Sequence, residues 1–331
     1  MIPTPYLLYL GHSRDFIGIK TSRGLATFRR EACVGEFRHD DCPFTLDLPR
    51  MTIAEGAAAG AKTLVLGIAN SGGTFGVGLI DDAAAALEAG MNVAAGLHHR
   101  LRDQPRLAAL AAAKGLSLFD VRDPPAKLVV GTGYARAGNR LLTVGTDCST
   151  GKMYTTLALV RGLQARGVAV DFRATGQTGI LIAGAGVPVD AVIADFISGA
   201  IETLSPARHD DGWDVIEGQG SLFHPSFAGV STGLLHGAQA KALVMCHEPG
   251  REHMRGLPGR SLPSLGECIA MNLQVARLTS PEVRMTGIAL NTSALDADAA
   301  QRLCGETGVA HGLPCTDPHR FGVEALLDAF S

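Results

Sequence analysis

The sequence predicts an α/β chain in two parts, each built around a mostly parallel sheet, with a phosphate-binding loop in the second. Three observations lead there. Strand-like and helix-like patterns alternate almost from end to end, as they do when helices cover both faces of a parallel sheet. The 331 residues exceed one ordinary core and suit two domains of about 130 to 200 residues each. Between the halves, RDPPAKLVVGTGYARAGN carries a proline pair and several glycines and reads as a linker over residues 122–139. The expected domains are therefore 1–130 and 131–331.

In the first part, strands are expected near Tyr6–Leu10, Thr63–Ile68, Asn92–Gly96 and Ser117–Val121. The Ala-rich stretches DDAAAALEAG and PRLAALAAAKG supply helices between the later ones. The second part opens on RLLTVG, a buried-type strand ending at Gly145, then TDCSTGK, then a helix over MYTTLALVRGLQARG. Further strands are expected at Val168–Arg173, Asp214–Glu217, Ala242–Cys246 and Met285–Leu290, with a last short one near Val309–Leu313 and a closing helix over FGVEALLDAF.

Composition excludes several classes. At 46% hydrophobic and 18% charged residues the chain is globular. A net charge of −3, from 29 basic and 32 acidic residues, gives no basic field for nucleic acid. Apolar runs are short and broken by Gly, too short for the roughly 20 residues a membrane helix needs. The opening MIPTPYLLYLGHSRD has neither a basic leader nor a cleavage pattern and reads as a first strand. Seven cysteines, an odd number without a CxxC pair, suit reduced thiols in a cytosol. The expectation is a cytoplasmic protein acting on a small molecule, with no nucleic-acid or membrane partner. The Ala/Gly-rich helices could pack across subunits, so a homo-oligomer is expected.

The strongest signal is the run Gly145, Thr146, Asp147, Cys148, Ser149, Thr150, Gly151, Lys152, set between a strand and a helix. Glycines let the backbone wrap closely, successive N–H groups turn inward on phosphate oxygens, the helix N-terminus adds its positive end, and Lys152 adds a full charge. Two departures from the common loop matter. Five residues separate Gly145 and Gly151 instead of four, a spacing that, opening on Gly-Thr-Asp, resembles the dethiobiotin synthetase branch of P-loop proteins. Met153 stands where Ser or Thr normally holds Mg²⁺, and a thioether is a poor ligand for that ion. Thr155 and Thr156 lie further along the helix, facing elsewhere or nearly a turn deeper. The loop should grip phosphates without the usual means of cleaving them, which suits a carried ligand such as coenzyme A and no bound metal.

Four segments, GTDCSTGKMYTT, DFRATGQTGI, VIADFISGAIE and WDVIEGQGSLFHPSFAGVSTGLLHG, in this order, resemble the D-glutamate N-acetyltransferase family, formerly a domain of unknown function. The resemblance runs over essentially the whole chain. It implies an N-terminal Rossmann-like domain, a C-terminal P-loop NTPase-like α/β domain, and acetyl transfer from acetyl-CoA to the amino group of D-glutamate. Thr150 stands where most members are expected to carry Val.

Such a reaction needs a general base, donors for an oxyanion, and partners for two carboxylates. Glu217 follows the strand DVIE, where residues past strand ends line the ligand crevice of an open sheet. It can take the proton of the amine, or simply cap a helix or order the glycine turn. His224, in SLFHPS, is the alternative base by its ordinary pKa, or a loop histidine fixed by Pro225. Asp195, expected at another strand end, either orients the substrate ammonium or caps a helix. Asp147 beside phosphates should point away and shape the loop. Cys148, at a helix N-terminus, could carry the acetyl group, although direct attack needs no such relay. Arg173, Thr175, Gly176, Gln177 and Thr178 follow the second strand of this domain and suit a carboxylate or phosphate, as do Gln219 and Ser221 after Glu217. Asn291, with Thr292, follows another strand and is a candidate for the adenine.

HEPGREH (from His247) matches no zinc spacing and reads as an ordinary loop at the crevice edge. GIANSGGTFGVG (from Gly67) is Gly-rich but lacks the dinucleotide spacing. Two other functions stay open on the residues alone: an ATP-dependent ligase or kinase for a small carboxylic or amino acid, and a sensor of nucleotide or coenzyme A without turnover.

Overall fold

The computed structural model describes residues 2–330 apart from 17, 69–74 and 77. Most of GIANSGGTFGVG thus lies outside the described residues. The chain forms two compact units, Met1–Asp123 with Gln177–Pro188, and Pro124–Gly176 with Val189–Ser331.

Among the described residues the first unit holds five strands: β1 (Tyr6–Gly11), β2 (Cys33–Arg38), β3 (Thr63–Leu66), β4 (Asn92–Ala95) and β5 (Leu118–Asp120). All pair in parallel in the order β2-β1-β3-β4-β5. That is a doubly wound order, with its switch point between β1 and β3. Every residue of β1 is buried, as expected of a strand covered on both faces. Helices α1 (Lys20–Phe28), α2 (Ile53–Ala58), α3 (Leu79–Glu88) and α4 (Pro105–Lys114) make the crossovers. Thr52 and Glu55 form a capping box on α2, and Pro105 opens α4 where its missing N–H costs nothing. The strand β2 was not anticipated; only two of its six residues are buried, so its pattern is weak.

The second unit holds β6 (Asn139–Gly145), β7 (Val170–Arg173), β8 (Trp213–Ile216), β9 (Ala242–His247), β10 (Arg284–Leu290) and β11 (Cys315–Thr316). These also pair in parallel, in the order β11-β10-β9-β6-β8-β7. The helices are α5 (Lys152–Ala165), α7 (Ile197–Leu204), α8 (Ala228–Ala238), α9 (Leu265–Ala276), α10 (Ala297–His311) and the single-turn α11 (Glu324–Leu327). One core joins Leu141, Val215 and Val244 of the sheet to Leu159 and Leu163 of α5 and Leu326 of α11. Trp213 meets Phe330 edge-on at 4.9 Å.

Between β7 and β8 the chain leaves this unit for α6 (Gln177–Ala183), which belongs to the first. Thr178 and Thr21 of α1 pair hydroxyls at 2.8 Å, and Arg29 donates to the Ile182 carbonyl at 3.1 Å. The linker reading at 122–139 carried no sign of this excursion.

Two expectations need correction. The short strand expected at Val309–Leu313 is the end of a helix. Asp296 caps α10, which runs on to Gly312 in the left-handed conformation, and Val309 is 87% exposed. The strand there is Cys315–Thr316. Asp195 does not end a strand; it sits in a 3-10 turn, Ala194–Phe196, ahead of α7.

Candidate active site

The site is built on the carboxyl edge of the second sheet, where β6 delivers the loop into α5. Gly145 is required by space: a Cβ there would lie 2.7 Å from Thr150 Oγ1 and 2.8 Å from Lys152 Nζ. Gly151, the N-cap of α5, has φ +99°, which an L side chain rarely adopts. Lys152 is buried and donates to the Asp147 carbonyl at 2.8 Å. Burial pushes its pKa down, and Cys148, Cys246 and Asp147 oppose that.

A run of hydroxyls fixes the first turn of α5. Thr156 donates to the Lys152 carbonyl (2.8 Å), so the Thr143–Thr156 contact (2.9 Å) must be donated by Thr143, which in turn accepts the Gly218 N–H (3.0 Å). The Thr156 hydroxyl is therefore spent inside the core. Thr155, also buried, is hydrogen-bonded to the Cys246 thiol. Neither stands in for the hydroxyl missing at Met153.

Both carboxylate oxygens of Asp147 are engaged. One oxygen accepts the Cys148 N–H (2.7 Å); the other accepts Arg251 Nη1 (2.8 Å) and the Arg255 N–H (2.7 Å). Arg251 also donates to the carbonyls of Cys148 (2.6 Å) and Ser149 (3.2 Å) and pairs with Glu248. The segment after β9 is thus strapped over the phosphate loop. Sequence reasoning missed Arg251 and Arg255, although HEPGREH was placed at the crevice edge. His247 Nδ1 meets Thr146 Oγ1 at 3.0 Å, with its pKa pushed down first by burial.

Glu217 follows β8, the neighbour of β6, and is buried. One carboxylate oxygen accepts N–H groups of Thr175 (2.9 Å) and Gly176 (3.0 Å), and its own carbonyl accepts the Thr175 hydroxyl at 2.6 Å. Burial raises its pKa to about 7, against the opposing pull of those N–H groups, of Gln219 and of the Lys152 charge. Ser221 donates to the Thr146 carbonyl at 3.0 Å. The structure therefore brings Glu217, Gln219, Ser221, Thr175 and Gly176 to the phosphate loop.

His224 is buried, and both ring nitrogens are engaged. Nδ1 accepts the Ser226 N–H (3.2 Å), so Nε2 carries the proton and donates to the Arg255 carbonyl (2.9 Å). With no nitrogen open, it suits the strap better than proton transfer. Asp147, Cys148 and His224 bring donor atoms within 4.8 Å of one another, but the carboxylate and the imidazole are already taken up by these hydrogen bonds.

The remaining candidates make other contacts. Arg173 points back along the sheet to Asp214 (3.0 Å), which also holds Arg208 and Ser205. Gln177 and Thr178 serve the packing of α6 in the first unit; a Cβ on Gly96 would run into the Gln177 side chain. Asp195 is exposed, and no hydrogen bond among the described residues joins it to the loop or to Glu217. Asn291 donates its N–H to the His247 carbonyl at 2.8 Å and accepts from Ser293, while Thr292 is tied to the buried Asp317.

No helix among the described residues is long and apolar enough to cross a membrane. The chain is 48% identical over 98% of both chains to a D-glutamate N-acetyltransferase of Pseudoalteromonas sp.. It is 49% identical to one of Tritonibacter scottomollicae, over 100% of this chain and 99% of that one. A solved DUF1611 family protein from Anabaena variabilis superposes with a TM-score of 0.89 at 35% identity, over 99% of each chain. The model of a DUF1611 Rossmann-like domain matches residues 33–124, and that of a DUF1611 P-loop domain, both described as of unknown function, matches residues 128–327. The chain therefore belongs to the DUF1611 family, as a Rossmann-like domain followed by a P-loop domain.

Proposed function

We propose that the chain is a D-glutamate N-acetyltransferase that uses acetyl-CoA as donor and needs no metal for the transfer. The full-length likeness to relatives of that name supports the reaction; the placement of Glu217 supports the chemistry. Lys152, the loop amides and the start of α5 form a cationic cradle for a phosphate of the donor. Met153 and the committed Thr156 leave that cradle without the hydroxyl that positions Mg²⁺, which suits a phosphate that is held and not cleaved.

Glu217 is the general base. A carboxyl with a pKa of about 7 is ionised in a useful fraction near neutrality and basic enough to take a proton. It removes the proton as the amine nitrogen bonds to the thioester carbonyl carbon. When the C–S bond breaks, the same carboxyl returns that proton to the departing thiolate, and both products leave neutral at those atoms. His224 has no nitrogen to spare for this, and direct attack leaves Cys148 out of the reaction.

The test is release of coenzyme A thiol from acetyl-CoA, measured with D-glutamate, with EDTA and without ATP. Turnover with D-glutamate and little with L-glutamate is expected. A strict need for ATP and Mg²⁺ would assign the chain to a ligase or kinase, and binding without turnover to a sensor.

A further inference from the structure

We infer that the strand order of the P-loop unit sets the direction in which an acyl-CoA lies, with its adenine in a groove beyond β9 and its thioester on the β8 side. This direction rests on the function proposed for the chain, because it takes the loop as the phosphate site and Glu217 as the base.

β6, which carries the loop, lies between β9 and β8. Glu217 stands past the end of β8, so the thioester must lie on that side. Past the end of β9 is a cavity of about 260 Å³. Its walls include Pro249 of the strap, Leu265 at the start of α9, and Leu303, Glu306 and Ala310 of α10. The spacing of 303, 306 and 310 puts these three on one helix face. His247 joins the two sites: the side chain that bonds Thr146 of the loop also lines the cavity. The cavity therefore begins one side chain away from the phosphate site.

Its size and chemistry choose the occupant. It is smaller than the roughly 300–1,000 Å³ of pockets that enclose a whole ligand, so it takes one ring system and not the full cofactor. Leu, Pro and Ala offer flat apolar contact, Glu306 offers an acceptor for an exocyclic amine, and His247, Thr307 and His311 add polar edges. Adenine presents a flat face and that amine. The pantetheine arm cannot occupy it, because its sulfur must reach Glu217. Strands are about 4.8 Å apart, so β8 and β9 lie about 10 Å from each other across β6, and one end of the molecule cannot serve both.

The test is calorimetric titration of the full chain and of Ala310→Trp, which fills the groove from an exposed helix position, with Thr307→Trp on the same cavity wall as a second variant. Four probes are used: coenzyme A, adenosine 3′,5′-bisphosphate, 4′-phosphopantetheine and inorganic pyrophosphate. The expected result is a Kd raised about 10-fold or more for the first two, and within about 2-fold for the others. Unchanged affinity for coenzyme A in both variants, or a loss confined to phosphopantetheine, would overturn the direction and leave the phosphate site standing. If the unaltered chain binds neither coenzyme A nor pyrophosphate, the phosphate site itself fails and the direction with it.

Discussion

At the carboxyl edge of the first sheet, Tyr9 donates to Asp82 (2.7 Å), Asp82 also meets His39 (2.9 Å), and His39 stacks on His12 at 3.8 Å between ring centres. His12 is held in turn by Asp41 at 2.8 Å. At the same edge of the second sheet lie Lys152 and Glu217. Both clusters are rich in charge, but His12 and His39 are 39% and 31% exposed, while Lys152 and Glu217 are 7% and 3%. Water screens the two imidazoles and weakens the His12–Asp41 pair, while Tyr9 of the same cluster is buried and burial raises its pKa. In the second, burial raises the pKa of the Glu217 carboxyl to about 7 and pushes down that of the Lys152 ammonium, which donates to a carbonyl. Two sheets of the same parallel kind thus differ in the charged residues set just past their strands and in the depth at which those residues are buried.

The sharpest way to break this contrast is Glu217→Gln, expected to lower kcat about 10³-fold with KM little changed, measured by thiol release. A loss in KM alone would make Glu217 a binding residue. The unaltered enzyme should lose activity as pH falls through about 7, because its base becomes protonated, and the variant should lose that step. Stability has the opposite sign. The folded pKa lies above the ordinary 4.5, so the native state holds the proton more tightly, and its advantage is full below pH 4.5 and lost by about pH 7. Two to three pH units at about 1.4 kcal/mol each put that loss near 3 kcal/mol, readable by urea unfolding across this range.

Lys152→Ala should raise the Kd for coenzyme A about 10²-fold, as expected for a buried charge on a phosphate, with the fold intact by circular dichroism. Arg251→Ala should weaken the same binding about 10-fold and lower stability by about 1–3 kcal/mol, because the carboxylate of Asp147 loses its cation. His12→Ala should alter kcat/KM by less than about 2-fold, as an exposed ion pair does. A large effect there would place the first unit in the chemistry and erase the contrast.

Much of the P-loop unit was legible because its signals are contiguous. Strand, loop and helix follow one another between Arg140 and Ala165, and Glu217 is marked by standing just past a strand. What was not legible depends on contacts far apart in sequence. Nothing near Asp147 announces Arg251 and Arg255, more than a hundred residues on. The engagement of both His224 nitrogens needs the Arg255 carbonyl and cannot be read from SLFHPS. Arg173 looked open at a strand end, but the buried Asp214 on the neighbouring strand draws it away. Asp195 was misplaced because VIAD reads as a strand when taken alone, and a 3-10 turn leaves no periodicity to detect.

The excursion of residues 177–188 bears on any attempt to dissect the protein. A gene cut at codon 123 would yield a front fragment deprived of the helix that Thr21 and Arg29 hold, and a rear fragment dragging that helix along with its apolar side chains bared. Separating the halves cleanly calls for two joins instead of one: residues 177–188 grafted onto the front piece, and a short bridge from Gly176 to Val189 closing the rear.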